Sequence, residues 1–309
     1  LIITLTINPA IDRTLSVDKL VYEDRAYILD RTEAAGGRGI NASHVIHQFG
    51  GKTLALLTCG GSSGERMLAL LDGVGFPFEC VRVKQEIRTN FTISDKEGLT
   101  IKLNEVGMPL DKRELKEIHD LVDARIGKAS WLMICGSIPP GVPPRFYCEI
   151  IHLAQRRGVK TLLDADGDAL VHALEAKPTI ITPNLHEAER LLGRALITRT
   201  QSLEALDRIR KMGPESVILS LGSRGAMGSS QEGIFEALPP HVDALCPIGA
   251  GDAMAAAIAW SMEKKKSFSE SLRWGVATGT AKAMLPGMTF PTVDQTRAIY
   301  KQVEVRPAG

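Results

Sequence analysis

Short apolar runs rich in β-branched residues alternate with stretches of helical periodicity along most of the chain. The runs LIITLTI (1–7), TLALLTC (53–59), WLMICG (131–136), VKTLLDA (159–165), PTIITPN (178–184) and SVILSL (216–221) predict strands. Most positions in them are apolar, so both faces of each strand are expected to be covered. Helical patterns at 40–49, 63–74, 111–126, 145–157, 185–193 and 202–212 lie between them. The alternation predicts an α/β fold, a mostly parallel central sheet with helices on both faces. Beyond residue 249 the pattern is helical throughout, at 251–264, 269–285 and 292–304. Residues 11–35 and 86–106 break the rhythm, with charges interleaved among strand-like residues, as in RTNFTISD and LTIKLNE. They predict a small separate sheet, a β-lid on a chain otherwise read as one domain over 1–309.

Composition narrows the partners. The hydrophobic share of 44% and charged share of 24% support a large core. With 37 basic and 36 acidic residues the net charge is +1, so no polyanion field is expected and nucleic acid is excluded as a partner class. No apolar run approaches the roughly 20 residues of a membrane span. Cys59, Cys80, Cys135, Cys148 and Cys246 are scattered, with no Cys-x-x-Cys, so neither a disulfide framework nor a zinc site is expected. An apolar strand rather than a basic leader opens the chain, and a reducing, cytoplasmic location is the expectation.

Two motifs mislead. GGKT (50–53) looks like the end of a P-loop, but Ile46 stands where that loop needs glycine. Gly37, Gly39 and Ala42 fit a dinucleotide fingerprint, yet the segment before them is a poor buried strand. The segment PIGAGDA (247–253) carries more. Gly249, Ala250 and Gly251 remove side-chain bulk just before Asp252, at the mouth of an apolar helix. Unpaired amides at such a mouth form an anion site. An acid beside an anion site suits catalysis: the amides stabilise a moving phosphoryl group while Asp252 takes the proton of the attacking hydroxyl.

Other clusters fit the same chemistry. AAGGRGINASHVIHQFGG (34–51) leads from a glycine turn into a helix, with Gly37 and Asn41 placed to meet sugar hydroxyls. His44 and His47 lie on the helix body and are not read as metal ligands. Asp12, Arg25, Arg88 and Lys102 fall on the irregular stretches, where the cations could clamp a phosphate. Asn184 and Glu187 stand three apart at a helix start, an oxygen pair that suits Mg²⁺ as well as an N-cap. SLGSRGAMG (220–228) is a glycine turn after a strand, which can hold a nucleotide.

Taken in this order, the segments resemble the ribokinase-like (phosphofructokinase B) family of carbohydrate kinases, over essentially the whole chain. GGRGINAS is similar to that family's first signature, PIGAGDA to its second, PNLHE to its magnesium motif and SLGSRGA to its nucleotide loop. The resemblance implies ATP and Mg²⁺, with Asp252 as base and the 249–252 backbone as anion hole. It implies Asp12, Gly37 and Asn41 on sugar hydroxyls, with Asn184 and Glu187 organising metal and phosphates. Ser220, Gly222 and Gly225 would line the ATP site, and Val276, Gly279 and Thr280 would lie near the adenine. A homodimer through the lid is also implied. TLTINPAID, TIKLNEVG and CGSIPPGVP look like the branch acting on phosphosugars, which places Ser137, Arg25, Arg88 and Lys102 at the substrate. The expected acceptor is fructose 1-phosphate, tagatose 6-phosphate or fructose 6-phosphate. A kinase for a neutral sugar or nucleoside is the alternative, and a non-catalytic sugar-phosphate sensor the alternative of another class. Intact GAGD argues against the sensor. Pro247 stands where the second signature often has a hydroxyl residue, and Arg38 where the first often has lysine or glycine.

Overall fold

The structure, a computed structural model, describes residues 1–308. The first third runs β1 (Ile2–Thr6), β2 (Ala10–Val17), β3 (Ile28–Gly36), α1 (Arg38–Gln48), β4 (Thr53–Gly60), α2 (Gly61–Asp72), β5 (Phe78–Val83), β6 (Arg88–Asp95) and β7 (Thr100–Asn104). Next come α3 (Lys112–Ile126), β8 (Trp131–Cys135), α4 (Phe146–Arg156), β9 (Lys160–Asp164), α5 (Gly167–Leu174), β10 (Ile180–Ile181), α6 (Leu185–Leu192), α7 (Arg199–Lys211) and β11 (Ser216–Ser220). The chain closes with β12 (Ala226–Ser230), β13 (Gly233–Leu238), α8 (Ala250–Glu263), α9 (Phe268–Ala283), α10 (Val293–Tyr300) and β14 (Glu304–Pro307).

Ten strands form the main sheet in the order β14-β13-β12-β11-β10-β9-β8-β1-β4-β5. Pairing is parallel from β5 to β11 and antiparallel from β11 to β14. Side chains alternate between two cores, as strands covered on both faces require. Ile3, Leu5, Leu132, Ile134 and Val217 pack with α3, α4, α5 and α7. Ile2, Met133, Leu162 and Ile218 pack with α1, α8, α9 and α10.

The predicted parallel strands and the helices predicted between them are present; β5 and α5, which the pattern did not reveal, are added to them. The end of the chain differs from expectation, because β14 follows the last helix. That strand, EVRP, is a partly exposed sheet edge and has no apolar alternation to betray it. β12, AMGSS, is fully buried but made of small residues, so its signal is weak too. Cys59 and Cys80 are joined as a disulfide, with Cα atoms 6.1 Å apart. This corrects the expectation of a chain without one. Parallel pairing of β4 with β5 sets Thr58 beside Val81 and so brings the two cysteines together. Sequence spacing alone could not show it.

A second sheet has the order β3-β2-β6-β7, built from the two stretches that broke the helical rhythm. Its register lines up Ala34, Asp12, Asn90 and Asn104 in one row and Thr32, Thr14, Thr92 and Lys102 in the next row on the same face. The opposite face carries Leu15, Ile93 and Ile101 in one row and Phe91 beside Leu103 in another.

Helix starts fall into two kinds. α3, α6, α7 and α10 begin with reciprocal capping boxes at Asp111, Asn184, Thr198 and Thr292. α1 and α8 begin at Gly37 and Gly249 with no side-chain cap. Their open ends approach the main sheet closely. A Cβ at Gly39 would fall 2.4 Å from Thr6 Oγ1 and 3.2 Å from the Leu5 carbonyl.

Gly39→Ala tests that approach. Helix propensity alone would stabilise the variant by about 1 kcal/mol. Steric overlap in a packed site costs about 1–3 kcal/mol, and rotating Thr6 only puts its methyl in place of its hydroxyl. The expected result is a lower thermal midpoint; an unchanged or higher one would show that α1 can shift away from β1.

Candidate active site

The carboxyl ends of β1, β8, β9, β10 and β11 converge on one crevice, the usual ligand position in a parallel α/β sheet. The N-terminal ends of α1, α6 and α8 border it. Asp252 lies in the first turn of α8, and its Oδ2 accepts a hydrogen bond from Asn41 Nδ2 at 2.7 Å. Burial pushes the Asp252 carboxyl up to about 7, helped by the nearby Asp164 and opposed by Arg38 and the Asn41 bond. Gly249 caps the helix at φ 80°, a left-handed conformation that favours glycine. The Ala250 amide donates to the Pro247 carbonyl at 3.1 Å, and the Ala253 amide to the Gly249 carbonyl at 2.9 Å. The amides of Gly249, Gly251 and Asp252 have no acceptor among the described residues. The four-amide cradle expected from sequence therefore has three free donors, and Pro247 engages the fourth.

Arg38, at the first position of α1, ties the crevice together. Its Nη1 donates to Asp164 Oδ1 at 2.8 Å, and its Nη2 to Asp166 Oδ2 and Glu187 Oε1, each at 3.3 Å. The carboxylates hold the guanidinium firmly charged, Asp164 most strongly. Asn184 and Glu187 form the cap of α6: Asn184 Oδ1 accepts from the Glu187 amide, and Glu187 Oε2 from the Asn184 amide, both at 2.9 Å. Glu187 is buried, which raises its pKa against the pull of Arg38. Among the described residues no cluster of three His, Cys, Asp or Glu side chains forms a ready metal cage. One guanidinium set against Asp164, Asp166 and Glu187 nevertheless leaves negative charge in surplus. That surplus suits Mg²⁺ held mainly by water and phosphate oxygens, with few protein ligands.

The sugar-side residues gather on the second sheet. Asp12 Oδ1 accepts from Asn90 Nδ2 at 2.8 Å, and burial raises its pKa against Asn90 and Arg88. Arg88 donates through Nε to the Asn8 carbonyl at 3.2 Å and through Nη1 to the Glu105 carbonyl at 2.9 Å. Ser137 Oγ lies 3.1 Å from Asn8 Nδ2. Lys102 is exposed, on the same sheet face as Asp12 and Asn90. Gly37 adjoins Arg38 at φ 133°, its backbone beside Thr6. Arg25 stands apart, exposed on the loop between β2 and β3, and the structure does not bring it to the others.

On the nucleotide side, Ser220 ends β11, and Gly222 and Gly225 bound a single turn of tight helix. A Cβ at Gly225 would lie 2.1 Å from the Ala237 carbonyl. A cavity of about 350 Å³ beside this turn is lined by Leu221, Ser223, Arg224, Leu238 and Pro239, and does not reach Asp252. Val276 is buried in the core of α9. Gly279 lets α9 pass the first turn of α8, since a Cβ there would sit 3.1 Å from the Ala250 carbonyl. Thr280 Oγ1 bonds the Val276 carbonyl at 2.8 Å. Sequence reasoning missed Asn8, Asn90, Asp164 and Asp166, and gave Arg38 no role. The aspartates at the end of β9, in LLDAD, were the available signal, because ligands bind at carboxyl ends of parallel strands.

The family described as pfkB family carbohydrate kinase matches residues 3–295. The ATP-dependent 6-phosphofructokinase isozyme 2 of Escherichia coli (strain K12) is 30% identical over 302 residues, 97% of this chain and 97% of its own. The tagatose-6-phosphate kinase of Staphylococcus epidermidis is 27% identical, covering 99% of both chains. The crystal structure of Escherichia coli phosphofructokinase-2 in complex with potassium superposes with TM-score 0.92 at 29% identity, covering 97% of this chain and 98% of that one.

Removing the guanidinium strands the carboxylates it holds. Arg38→Met is expected to cost about 2 kcal/mol, less than for a fully buried pair, because the Arg38 side chain keeps 29% exposure. Burial already raises the pKa of Glu187 and Arg38 opposes that rise, so without the guanidinium its charge costs more and the deficit should be smaller at pH 5 than at pH 8. Urea denaturation at both values checks this; an equal loss at both would show that packing, not charge, was removed.

Proposed function

The chain belongs to the pfkB family of carbohydrate kinases, and from that premise we propose that it moves the γ-phosphoryl group of ATP onto a hydroxyl of a hexose phosphate. The observation that carries the reading is the open end of α8, where free amides and an acid of raised pKa occupy one helical turn. Asn41 orients the Asp252 carboxylate towards the acceptor. As the acceptor oxygen bonds to phosphorus and the bond to ADP breaks, Asp252 takes the hydroxyl proton. The Gly249, Gly251 and Asp252 amides donate to the phosphoryl oxygens. Glu187 and Asn184, with Asp164 and Asp166 at hand, would hold Mg²⁺ through its waters, and that ion supplies charge neutralisation on the phosphates.

Asp12 and Asn90 form the polar floor for the sugar, with Gly37 and Asn41 at its edge and Ser137 beside Asn8. Arg88 and Lys102 face the phosphate the substrate already carries, a demand a neutral sugar would not make. Gly222 and Gly225 let nucleotide approach the backbone beside Ser220, and α9 contributes Val276, Gly279 and Thr280 towards the adenine. Among the described residues no helix is long and apolar enough to cross a membrane. The cytoplasm, where ATP and sugar phosphates meet, is the proposed location.

We also propose that the second sheet is a lid that pairs with its counterpart in a homodimer. Leu29, Ile101 and Leu103 are exposed on it to 52%, 41% and 54%, beside the half-buried Leu15, Phe91 and Ile93. Such an apolar face is normally covered. Arg25, at the tip of this sheet, then lies where a second copy could meet it.

An ADP-release assay with Mg²⁺ and a panel of hexose phosphates and neutral sugars tests the activity. Turnover of phosphosugars is expected, with kcat/KM falling tenfold per pH unit below about 7 as Asp252 binds its proton. Asp252→Asn should lower kcat by about 10²–10⁴-fold with substrate binding retained. Equal turnover of neutral sugars would remove Arg88 and Lys102 from the reading, and an active Asp252→Asn would remove the base. For the lid, Leu103→Asp should halve the mass seen by light scattering; an unchanged mass would place the assembly elsewhere.

A further inference from the structure

Lys282, in the last turn of α9, is fully buried and forms no ion pair among the described residues. Its ammonium donates instead to two backbone carbonyls, Gly287 at 2.8 Å and Cys246 at 3.4 Å. Cys246 begins the segment that ends at Gly249, the cap of α8. The carbonyl of Ala283, next to Lys282, accepts from the amides of Leu245 and Cys246 at 2.8 and 2.9 Å. The end of α9 thus grips this segment by its amides and by its carbonyl at once. Gly249 itself passes the lysine stem: a Cβ there would lie 3.6 Å from Lys282 Cε, 3.6 Å from Met288 and 3.4 Å from Phe290.

The arrangement is expensive for stability alone. Burial disfavours the ammonium and lowers its pKa, although Asp252 pulls the other way. The positive end of the α8 dipole also opposes a cation at this place. Carbonyl oxygens around an ammonium, beside an uncapped helix N-terminus, make an environment that an anion at the helix would complete.

We propose that Lys282 is a positioning residue, a tethered monovalent cation that binds the Cys246 and Gly287 carbonyls and so sets the backbone that turns the amides of Gly249, Gly251 and Asp252 towards the transferred phosphoryl group. It supplies from within the chain what a free potassium or ammonium ion would supply between the same carbonyls. The effect on turnover rests on the phosphotransfer reading; the cation site itself does not. A free ion of similar charge and size can replace the ammonium only if the side chain is shortened.

Lys282→Ala and Lys282→Met are compared with the unaltered chain, with tetramethylammonium exchanged for potassium or ammonium at constant ionic strength. The unaltered enzyme should be indifferent to the exchange in kcat and in thermal midpoint. Lys282→Ala should lose about tenfold or more in kcat, less than the loss of a direct oxyanion donor. Potassium or ammonium should then restore both kcat and thermal midpoint with saturation. Lys282→Met should lose kcat equally and not respond, because its side chain still fills the space. Wild-type kcat in Lys282→Met, or a Lys282→Ala midpoint that ignores both ions, would overturn the proposal. If the unaltered chain phosphorylates no sugar phosphate, the activity reading fails, while the melting curves still decide whether a cation belongs between these carbonyls.

Discussion

One guanidinium closes the crevice. Arg38 reaches the end of β9, the turn beyond it and the cap of α6, joining elements that lie 126, 128 and 149 residues away along the chain. Without a cation there, Asp164 and Glu187 would be crowded acids at the mouth of a sheet, and burial already disfavours the charge on Glu187. With it, α1 is fixed against β9 and α6, and Asn41, one turn along the same helix, reaches Asp252. Charge pairing on one face of α1 therefore sets the geometry of Asp252 on α8.

That acid owes its character to its neighbours. An aspartate at a helix N-terminus ordinarily gains from the dipole and stays ionised at neutral pH. Asp252 instead is half-buried, its carboxyl shielded from water beside Asp164, and its pKa rises to about 7. The open glycine cap is part of the same design. A serine or aspartate at position 249 would bond an amide of the first turn and remove a free donor, as the caps of α3, α6, α7 and α10 do at their own helix starts.

The legible parts of the chain were those whose signal is local. Gly249 to Asp252 declare a side-chain-free helix mouth in four consecutive residues, and the buried parallel strands declare themselves by continuous apolar runs. The second sheet could be read from two stretches with strand residues but no following helix, although the pairing of β2 with β6 could not. The Arg38 network was illegible because each partner is ordinary in its own segment. β12 and β14 escaped notice because small or edge residues give no period. The Asn184–Glu187 pair could be read as cap or as metal ligand, and the structure shows both residues engaged as a cap. Capping leaves the metal role open, since Mg²⁺ needs only nearby oxygen charge and its own waters.

The crevice is divided electrically, and Asp252 stands on the border. Carboxylates outnumber cations around Arg38, where nucleotide phosphates and their divalent ion are expected. Cations outnumber carboxylates on the second sheet beyond Asp12, where the acceptor's own phosphate is expected, and Lys282 adds positive charge behind α8. Filling the first side with a cation lowers the proton affinity of Asp252, and bringing an anion to the second side raises it. The two sides therefore act on Asp252 in opposite directions, the cation favouring its ionised, proton-accepting form and the anion opposing it. This follows from the placement of charges and requires no movement of the main sheet, which can remain a rigid frame while the second sheet carries one of the two fields.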